Sequence, residues 1–581
     1  MARLLQWPTY GATIIAPPIT VGRAKPVQAS LRLAEGQAIR PSRFEDIVLF
    51  LIVAITGSIL GVWAVAGLHL YHIDNVARTY SAVQVFFGYE PKLANIGFIW
   101  PPIPALLRLP LVALFPSLAF QGGTGAIVSA ICGGLCLVLL NRILALHVPG
   151  RSVRYSLLAL YQTNPLVFYL TISGLSEVVF LMFALLAWLS FQRIVFEEPM
   201  PLGQVGVMGV AAAGAVLSRY EGITYVLVLG GLLTTIMYLH KRPRQWSTAE
   251  GLGITYVAPW GYALAVWLFF NSLIMGDMFY FMAGKASLSE FQQTFLERYP
   301  VLQDLVGNPV PAARFALRIS WDASPAFVLG TVLAAIPALF RRDLFLVAML
   351  VAGANFPAFQ AVLSLLGQSS GWLRYHVYEI LFGVLLFAYF LRQGVFPALG
   401  HKRRLVVASA MLLFLGWSNV VTWKGLDDPG IVPVGESSYL RSLITGTPST
   451  PEYNPLSVAS YFRESLFPVD PDALVLTDEQ HSNDIVLFSG KPRRFVTPHS
   501  LRFTEYLDDP VGKVNFILVP ETVQSGVNLV LEAYPKMYED GVPFATLEYE
   551  FTGPLARGWR LYRVHPDEDG TLRFGQSEID N

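Results

Sequence analysis

The feature that most limits what this chain can fold into is a succession of apolar stretches, each close to the roughly 20 residues an α-helix needs to cross the hydrocarbon of a bilayer. They fall at about 46–68, 123–146, 152–171, 174–192, 203–218, 222–240, 251–272, 325–340, 343–365, 373–392 and 403–422. The runs at 203 and 325 are short and bear Gly or Pro, which leaves either open to being broken or re-entrant. Together they predict an α-helical polytopic membrane protein of about eleven spans. With 54% hydrophobic and only 14% charged residues, the chain has too little polar surface to cover a water-soluble globule of 581 residues. The 41 basic and 41 acidic residues cancel, so no overall basic field points to nucleic acid. Cys132 and Cys136 lie four apart within one apolar run and read as small core residues, not as a disulfide or thiolate metal framework.

The positions of the basic residues set an orientation. Residues 1–45 hold Arg3, Arg23, Lys25, Arg32, Arg40 and Arg43, with prolines and no apolar run long enough for a signal sequence, and are expected to be a cytoplasmic tail. The remaining basic clusters are Arg142, Arg151 and Arg154; Arg193; Lys241, Arg242 and Arg244; Arg341 and Arg342; and Arg392, Lys402, Arg403 and Arg404. All fall on one side of the expected topology, which the positive-inside rule makes cytoplasmic. The expected arrangement is a multi-pass protein of the cell membrane with a cytoplasmic N-terminus and an exterior C-terminus. Its transmembrane domain covers 46–422, with exterior loops at 69–122 and 273–324, and residues 423–581 form a soluble exterior domain.

In the first exterior loop, Val76, Tyr80, Val83 and Phe87 recur at helical spacing, which predicts an amphipathic helix on the membrane surface. The following stretch, Ile99 to Pro116, is apolar but too rich in proline to be one regular helix. The second loop contains SEFQQTFLERYP, which predicts another surface helix. In the C-terminal region DALVLTD, DIVLFSG, VNFILVP, FATLEYEF and GWRLYRV read as strands and Gly526–Tyr534 as a helix, giving a small α/β domain.

A charge at membrane depth costs several kcal/mol unless it is paired or faces water, so such residues are candidates for function. In this chain they are expected at the exterior ends of spans. Asp74 follows the first span; Glu177 opens the fourth, in SGLSEVVF; Arg219 and Glu221 occupy the turn LSRYEG; Arg374, His376 and Glu379 open the tenth, in GWLRYHVYE. A cavity open to the outer face and ringed by both signs of charge accounts for this convergence.

These features resemble the GT-C superfamily, membrane glycosyltransferases that use polyprenyl-phosphate sugars and include mannosyltransferase and aminoarabinose-transferase types. The resemblance rests on Asp74 after the first span, Trp100-Pro101-Pro102 ahead of the second, NPLVFYLTISGLSE at 164–177, LSRYEG at 217–222 and the exterior C-terminal domain. It implies a polyprenyl-phosphate sugar donor held beside membrane lipid, an acceptor that is not specified, and transfer at the outer face. In such enzymes an acidic residue of the first exterior loop acts as catalytic base or helps hold a metal, and the positional match is Asp74. The familiar pairing of two acids is absent, because Ile73 and Asn75 flank it. No cofactor is therefore assigned, and a divalent metal stays open.

The chemistry agrees with the residue types. An inverting transfer needs a carboxylate to take the proton of the attacking hydroxyl, the role expected of Asp74. The departing phosphate needs guanidinium groups, with Arg374 the leading candidate, Arg219 an alternative and His376 a helper. Glu177 and Glu221 remain to orient sugar hydroxyls or to hold the arginines, and Glu379 is a further substrate-binding candidate. Each has a plainer role open to it: Asp74 as a helix cap, Arg219 with Glu221 as an ion pair closing a turn, Arg374 as a residue snorkelling to the interface, and His376 as a structural histidine. A multi-span transporter or lipid flippase is the alternative function, although charges at one interface differ from the midplane sites usual there. A scaffold without activity is a third.

Overall fold

The computed structural model describes residues 41–566 except 149, 198–199, 241–244, 284–295, 342, 394–400, 429–434, 449–454, 522–527 and 553–557. The expected tail therefore lies almost wholly outside the described residues, as does most of SEFQQTFLERYP.

Apolar runs of this length bury their backbone polar groups by forming helices. The bundle comprises α1 (Arg43–Val62), α3 (Gly123–Ala145), α4 (Arg151–Gln162), α5 (Pro165–Ile172), α6 (Glu177–Phe196), α7 (Gly203–Val216), α8 (Glu221–His240), α9 (Trp246–Met275), α10 (Pro309–Ala323), α11 (Pro325–Arg341), α12 (Leu344–Leu365), α13 (Val377–Gln393) and α14 (His401–Gly425), while α2 (Ile73–Phe87) lies in the first loop. Among the described residues eight helices are long and apolar enough to cross a membrane, or nine if α10 and α11, bent by 111°, form one span. Three of the eleven expected runs do not appear as single long helices. The run at 152–171 is split into α4 and α5 at Pro165, where the Asn164 side chain caps the second piece by accepting from the Leu166 and Val167 amides. α7 is only 14 residues long, about 21 Å, short of the ~30 Å hydrocarbon thickness. α11 turns sharply away from α10.

The ends of the bundle differ. The end away from the C-terminal domain is pinned by α1, whose Glu45 accepts from the fully buried Arg154 at 2.6 Å and whose Asp46 accepts from Arg142 at 2.8 Å. Buried ionisable residues thus occupy both ends, not one as the sequence led us to expect. The two acids sit in the first turn of α1, where the helix dipole favours them, and they neutralise arginines counted earlier only as basic-loop markers.

In the first loop α2 forms where expected, but it does not lie on the membrane surface. Ten of its fifteen residues are buried, and its Val76 and Val83 pack with Val112, Leu487 and Phe488 in one apolar cluster. The C-terminal domain, not lipid, covers its apolar face. The proline-rich stretch after it breaks into Ile103–Leu106, Leu109–Leu114 and Pro116–Ala119, as its prolines require.

After α14 come α15 (Glu436–Thr445) and the α/β domain, with strands β1 (Val475–Leu476), β2 (Phe495–Val496), β3 (Phe516–Pro520), β4 (Ala545–Phe551) and β5 (Trp559–Val564). The sheet order is β2-β1-β3-β5-β4, parallel for the first three strands and antiparallel for the rest. Alternate residues serve two cores. Val475, Phe495, Phe516 and Leu518 face Val458 and Phe462, whereas Leu476, Val496, Ile517 and Val519 face Phe503 and Tyr506. DIVLFSG, expected as a strand, is instead part of helix α16 (Glu479–Phe488). A short continuous apolar run does not distinguish a buried strand from a buried helix. Here Asp478 decides, capping the helix by accepting from the Gln480 amide at 2.8 Å. The expected helix at 526–534 appears as Leu529–Ala533.

Leu487, fully buried between α16 and α2, joins the domain to the loop. Leu487→Ala is expected to cost about 2–5 kcal/mol, read as a lowered unfolding temperature together with faster proteolysis around residues 73–87.

Candidate functional site

The site begins with how the chain leaves α1. His72 is the N-cap of α2, its Nδ1 accepting from the Asp74 amide at 3.1 Å. Asp74 is therefore not the cap, and its carboxylate is free to face outward from the first helical turn. It retains a quarter of its side-chain exposure, the largest share among the carboxylates of the cluster.

Opposite it, the short 3-10 turn Leu373–His376 ahead of α13 presents Arg374, which is buried. Arg374 donates to Asp74 Oδ2 at 2.8 Å and approaches His72 Nε2 at 3.0 Å, and its Nε lies 3.5 Å from Glu177 Oε1. Glu177 also pairs with Arg219 at 2.9 Å, and Arg219 in turn holds Glu221 at 2.8 Å and donates to Ser176 Oγ at 3.0 Å. Five of the seven residues singled out from the sequence thus form one chain, Asp74–Arg374–Glu177–Arg219–Glu221. Tyr375 extends it, with both arginines near its ring at 5.6 and 5.3 Å.

His376 and Glu379 stand apart. They hydrogen-bond each other at 2.6 Å, and His376 lies 3.4 Å from Ser320 of α10. Among the described residues neither shares a hydrogen bond or ion pair with the Arg374 cluster. Adjacency in sequence to Arg374 did not carry them into the site, because the turn at 373–376 directs successive side chains to different neighbours.

One residue that sequence reasoning passed over belongs to the site. Arg78, one helical turn after Asp74, is buried, yet among the described residues no hydrogen bond or ion pair engages its guanidinium, and its Nε is orphaned. It stacks on Trp100 at 4.8 Å, within the electrostatic reach of Asp74, Arg219 and Glu177. The i, i+4 spacing from Asp74 was the signal available. A buried, unpartnered cation is costly and marks a place where an anion belongs.

The frame behind the cluster explains its placement. Arg108, fully buried and without a carboxylate partner, donates to the Asn75 carbonyl at 2.7 Å, to Thr79 Oγ1 at 2.8 Å and to the Gly174 carbonyl. Burial pulls its pKa down to about 9. Asn75, in the place where a second acid would make the familiar pair, is itself buried and donates to the Gly122 carbonyl at 3.2 Å. Gly174 has φ +80°, and a Cβ there would meet the Asn75 amide at 2.3 Å. The start of α2 is thereby locked to the turn ahead of α6, which sets Asp74 against Glu177.

Burial pushes the Asp74 carboxyl up, but the charges of Arg374 and Arg78 more than offset this and hold it well below the usual carboxylate range. Burial, together with Arg374, pulls His72 from 6.5 to about 4, so its imidazole is neutral near pH 7. A neutral imidazole carries one proton and one lone pair. It therefore accepts from the Asp74 amide or from Arg374, not from both, and Arg374 is held less firmly than its short contacts imply. As for a divalent metal, no group of three or more His, Cys, Asp or Glu side chains among the described residues is arranged to hold one. Asp74, Glu177 and Glu221 are each engaged by an arginine.

Fold and cluster together define a polytopic helical membrane protein whose charged site lies at one end of the bundle beneath a small α/β domain. No protein-family model matches the chain, and no curated protein matches it. Among solved structures it is similar to ArnT from Cupriavidus metallidurans bound to undecaprenyl phosphate, at 11% identity over 90% of this chain and 98% of that one, with a TM-score of 0.49. It is also similar to the oligosaccharyltransferase of Archaeoglobus fulgidus in the apo form, at 10% identity over 82% and 70% with a TM-score of 0.44. A third similarity, to the arabinofuranosyltransferase AftD from Mycobacteria, has 13% identity over 91% and 42% with a TM-score of 0.41. At these values none of the three bears on function, which rests below on the geometry of the cluster.

Two outcomes follow for the site. Gly174→Ala is expected to cost about 1–3 kcal/mol through backbone strain at its positive φ, with further loss from the Asn75 clash, and to lower the unfolding temperature. The folded pKa of His72 lies below its ordinary value, so between pH 6.5 and about 4 the unfolded chain binds a proton that the folded one refuses. Stability should therefore fall as pH drops through this window. Thermal unfolding at pH 7 and pH 5 should show that slope, and His72→Gln should reduce it.

Proposed function

We propose that this chain is a GT-C-type glycosyltransferase that moves a sugar from a polyprenyl-phosphate donor to an acceptor at the outer face of the cytoplasmic membrane. The observation that carries this reading is the partly exposed Asp74 carboxylate one helical turn from the unpartnered, buried Arg78, at the end of the bundle bearing the C-terminal domain. A base and a buried guanidinium without a carboxylate partner among the described residues, side by side, are what glycosyl transfer from a phosphate requires. The phosphate of the donor would sit against Arg78, stacked on Trp100, with Arg374 as the second guanidinium able to reach it. As Arg374 turns from Asp74 to the phosphate, Asp74 loses the partner that most depresses its pKa and becomes a stronger base. The acceptor oxygen then bonds to the anomeric carbon, its proton passes to Asp74, and the bond from that carbon to the phosphate oxygen breaks. The polyprenyl phosphate leaves as an anion stabilised by the two arginines. Glu177, itself paired with Arg219, stays beside the Arg374 Nε as the terminal nitrogens turn. His376 and Glu379 have no part in these steps.

The placement of the basic loops supports an exterior site and a cytoplasmic N-terminus. A transporter or flippase would be better served by a site near the midplane.

With purified protein and a labelled polyprenyl-phosphate sugar, Asp74→Asn is expected to lower turnover by about 10²–10⁴-fold while leaving donor binding and folding in place. Arg78→Met is expected to weaken donor binding by about tenfold or more, the loss of one charge-assisted contact to phosphate. Retention of full activity by Asp74→Asn would remove the base assignment.

A further inference from the structure

Three guanidinium groups of the cluster, those of Arg78, Arg219 and Arg374, face three carboxylates, those of Asp74, Glu177 and Glu221, with His72 neutral among them. A fourth acid borders this set without joining the ion-pair chain. Glu436 is the first residue of α15, which the backbone enters from Gly435 at a left-handed φ of 86°. Glu436 is only 5% exposed, and its Oε1 has no hydrogen-bond partner. Arg374 is the cation that acts on it, yet the ion pairs of Arg374 go to Asp74 and Glu177.

The groups that face Glu436 come from several elements. Arg374, in the turn ahead of α13, attracts its carboxylate, while Glu177 of α6 and Asp74 of α2 repel it. Tyr169 of α5 lies within its field. Tyr169 packs edge-on at 5.1 Å against Tyr439, one turn along α15 from Glu436, whose hydroxyl also lacks a partner. A buried carboxyl with no cation at bonding distance and two carboxylates nearby holds its proton more firmly than one in water. Burial pushes Glu436 up and the two acids add to this, against the opposing pull of Arg374.

That proton decides what an incoming anion meets. With Glu436 protonated, arginines and carboxylates balance, and Arg374 can turn to a phosphate. With Glu436 ionised, the acids outnumber the arginines, the phosphate is repelled, and the carboxylate competes with it for the field of Arg374. We propose that Glu436 couples a proton to the donor: the site binds the lipid phosphate in the form in which Glu436 is protonated, and loss of that proton weakens binding. Glu436 acts through Arg374 and is a positioning residue, with no part in bond making. The inference rests on the glycosyltransferase reading for the identity of the anion. Linkage sets the sign, because an anion at the cluster tightens the hold of Glu436 on its proton and the effect is reciprocal. Affinity is therefore highest at low pH, falls as Glu436 ionises in the unliganded protein, and binding in that range takes up a proton.

The experiment measures binding of undecaprenyl methyl phosphate to the full chain in phosphatidylcholine nanodiscs between about pH 5 and about pH 9. This probe is a diester, as the donor is, so its own charge stays constant across the range. Wild-type affinity is expected to fall about fivefold or more from the low to the high end. Proton uptake on binding should appear as a dependence of the calorimetric heat on the ionisation enthalpy of the buffer. Glu436→Gln keeps the shape but cannot ionise, so it should hold the low-pH affinity throughout and take up no proton, with thermal unfolding as the check on its fold. A wild-type affinity that does not change with pH, or the wild-type slope retained by Glu436→Gln, would overturn the proposal. Should that variant fail to fold, wild-type heats without proton uptake would overturn it as well. Arg78→Met separates the two readings. A probe that binds wild type at no pH, or binds wild type and Arg78→Met equally, removes the donor reading and this inference with it, whereas binding weakened by Arg78→Met but flat with pH removes this inference alone.

Discussion

Everything at the functional end of this molecule depends on keeping charged side chains buried at the edge of a bilayer. Taking a guanidinium or a carboxylate out of water costs several kcal/mol, and that cost is offset only by close opposite charge and well-formed hydrogen bonds. The chain Asp74–Arg374–Glu177–Arg219–Glu221 does this by alternating sign from one helix to the next. Arg78 is the member left over. Its burial without a carboxylate partner among the described residues makes the site electropositive at one point, and this imbalance is the physical basis for reading the cluster as a receptor for an anion.

The cluster is assembled from four separate parts of the chain, and its geometry is set by groups outside its ion-pair chain. Arg108 ties the start of α2 to the Gly174 turn, Asn75 ties it to Gly122, and the C-terminal domain covers its outer face through Leu487 and Phe488. Tyr80, further along α2, reaches Thr497 at 3.0 Å and Glu479 at 3.4 Å in that domain. The domain therefore packs on the same helix that carries Asp74.

How much of this could be read from the sequence varies with the kind of signal. The spans were legible because each run is long and apolar; the short, Gly- or Pro-bearing runs at 203 and 325 stood out as irregular in the sequence, whereas the break at Pro165 did not. The cluster was legible because Asp74, Glu177, Arg219, Glu221 and Arg374 stand out at apolar helix ends. Arg78 was not, since it sits in a polar-looking amphipathic helix whose burial comes from a domain 400 residues later in the chain. His376 and Glu379 are next to Arg374 in sequence but pair with each other, with His376 turned toward Ser320 of α10. The identity of α16 hinged on a single cap, Asp478, against a run of residues equally suited to a strand.

The most direct test of the central claim is a structure of the full chain with undecaprenyl phosphate bound in a lipid nanodisc. The account expects the phosphate within hydrogen-bonding distance of Arg78, near Trp100, with Arg374 drawn away from Asp74. A phosphate seated near the middle of the bundle, with the Asp74–Arg374 pair intact and Arg78 still unengaged, would contradict it.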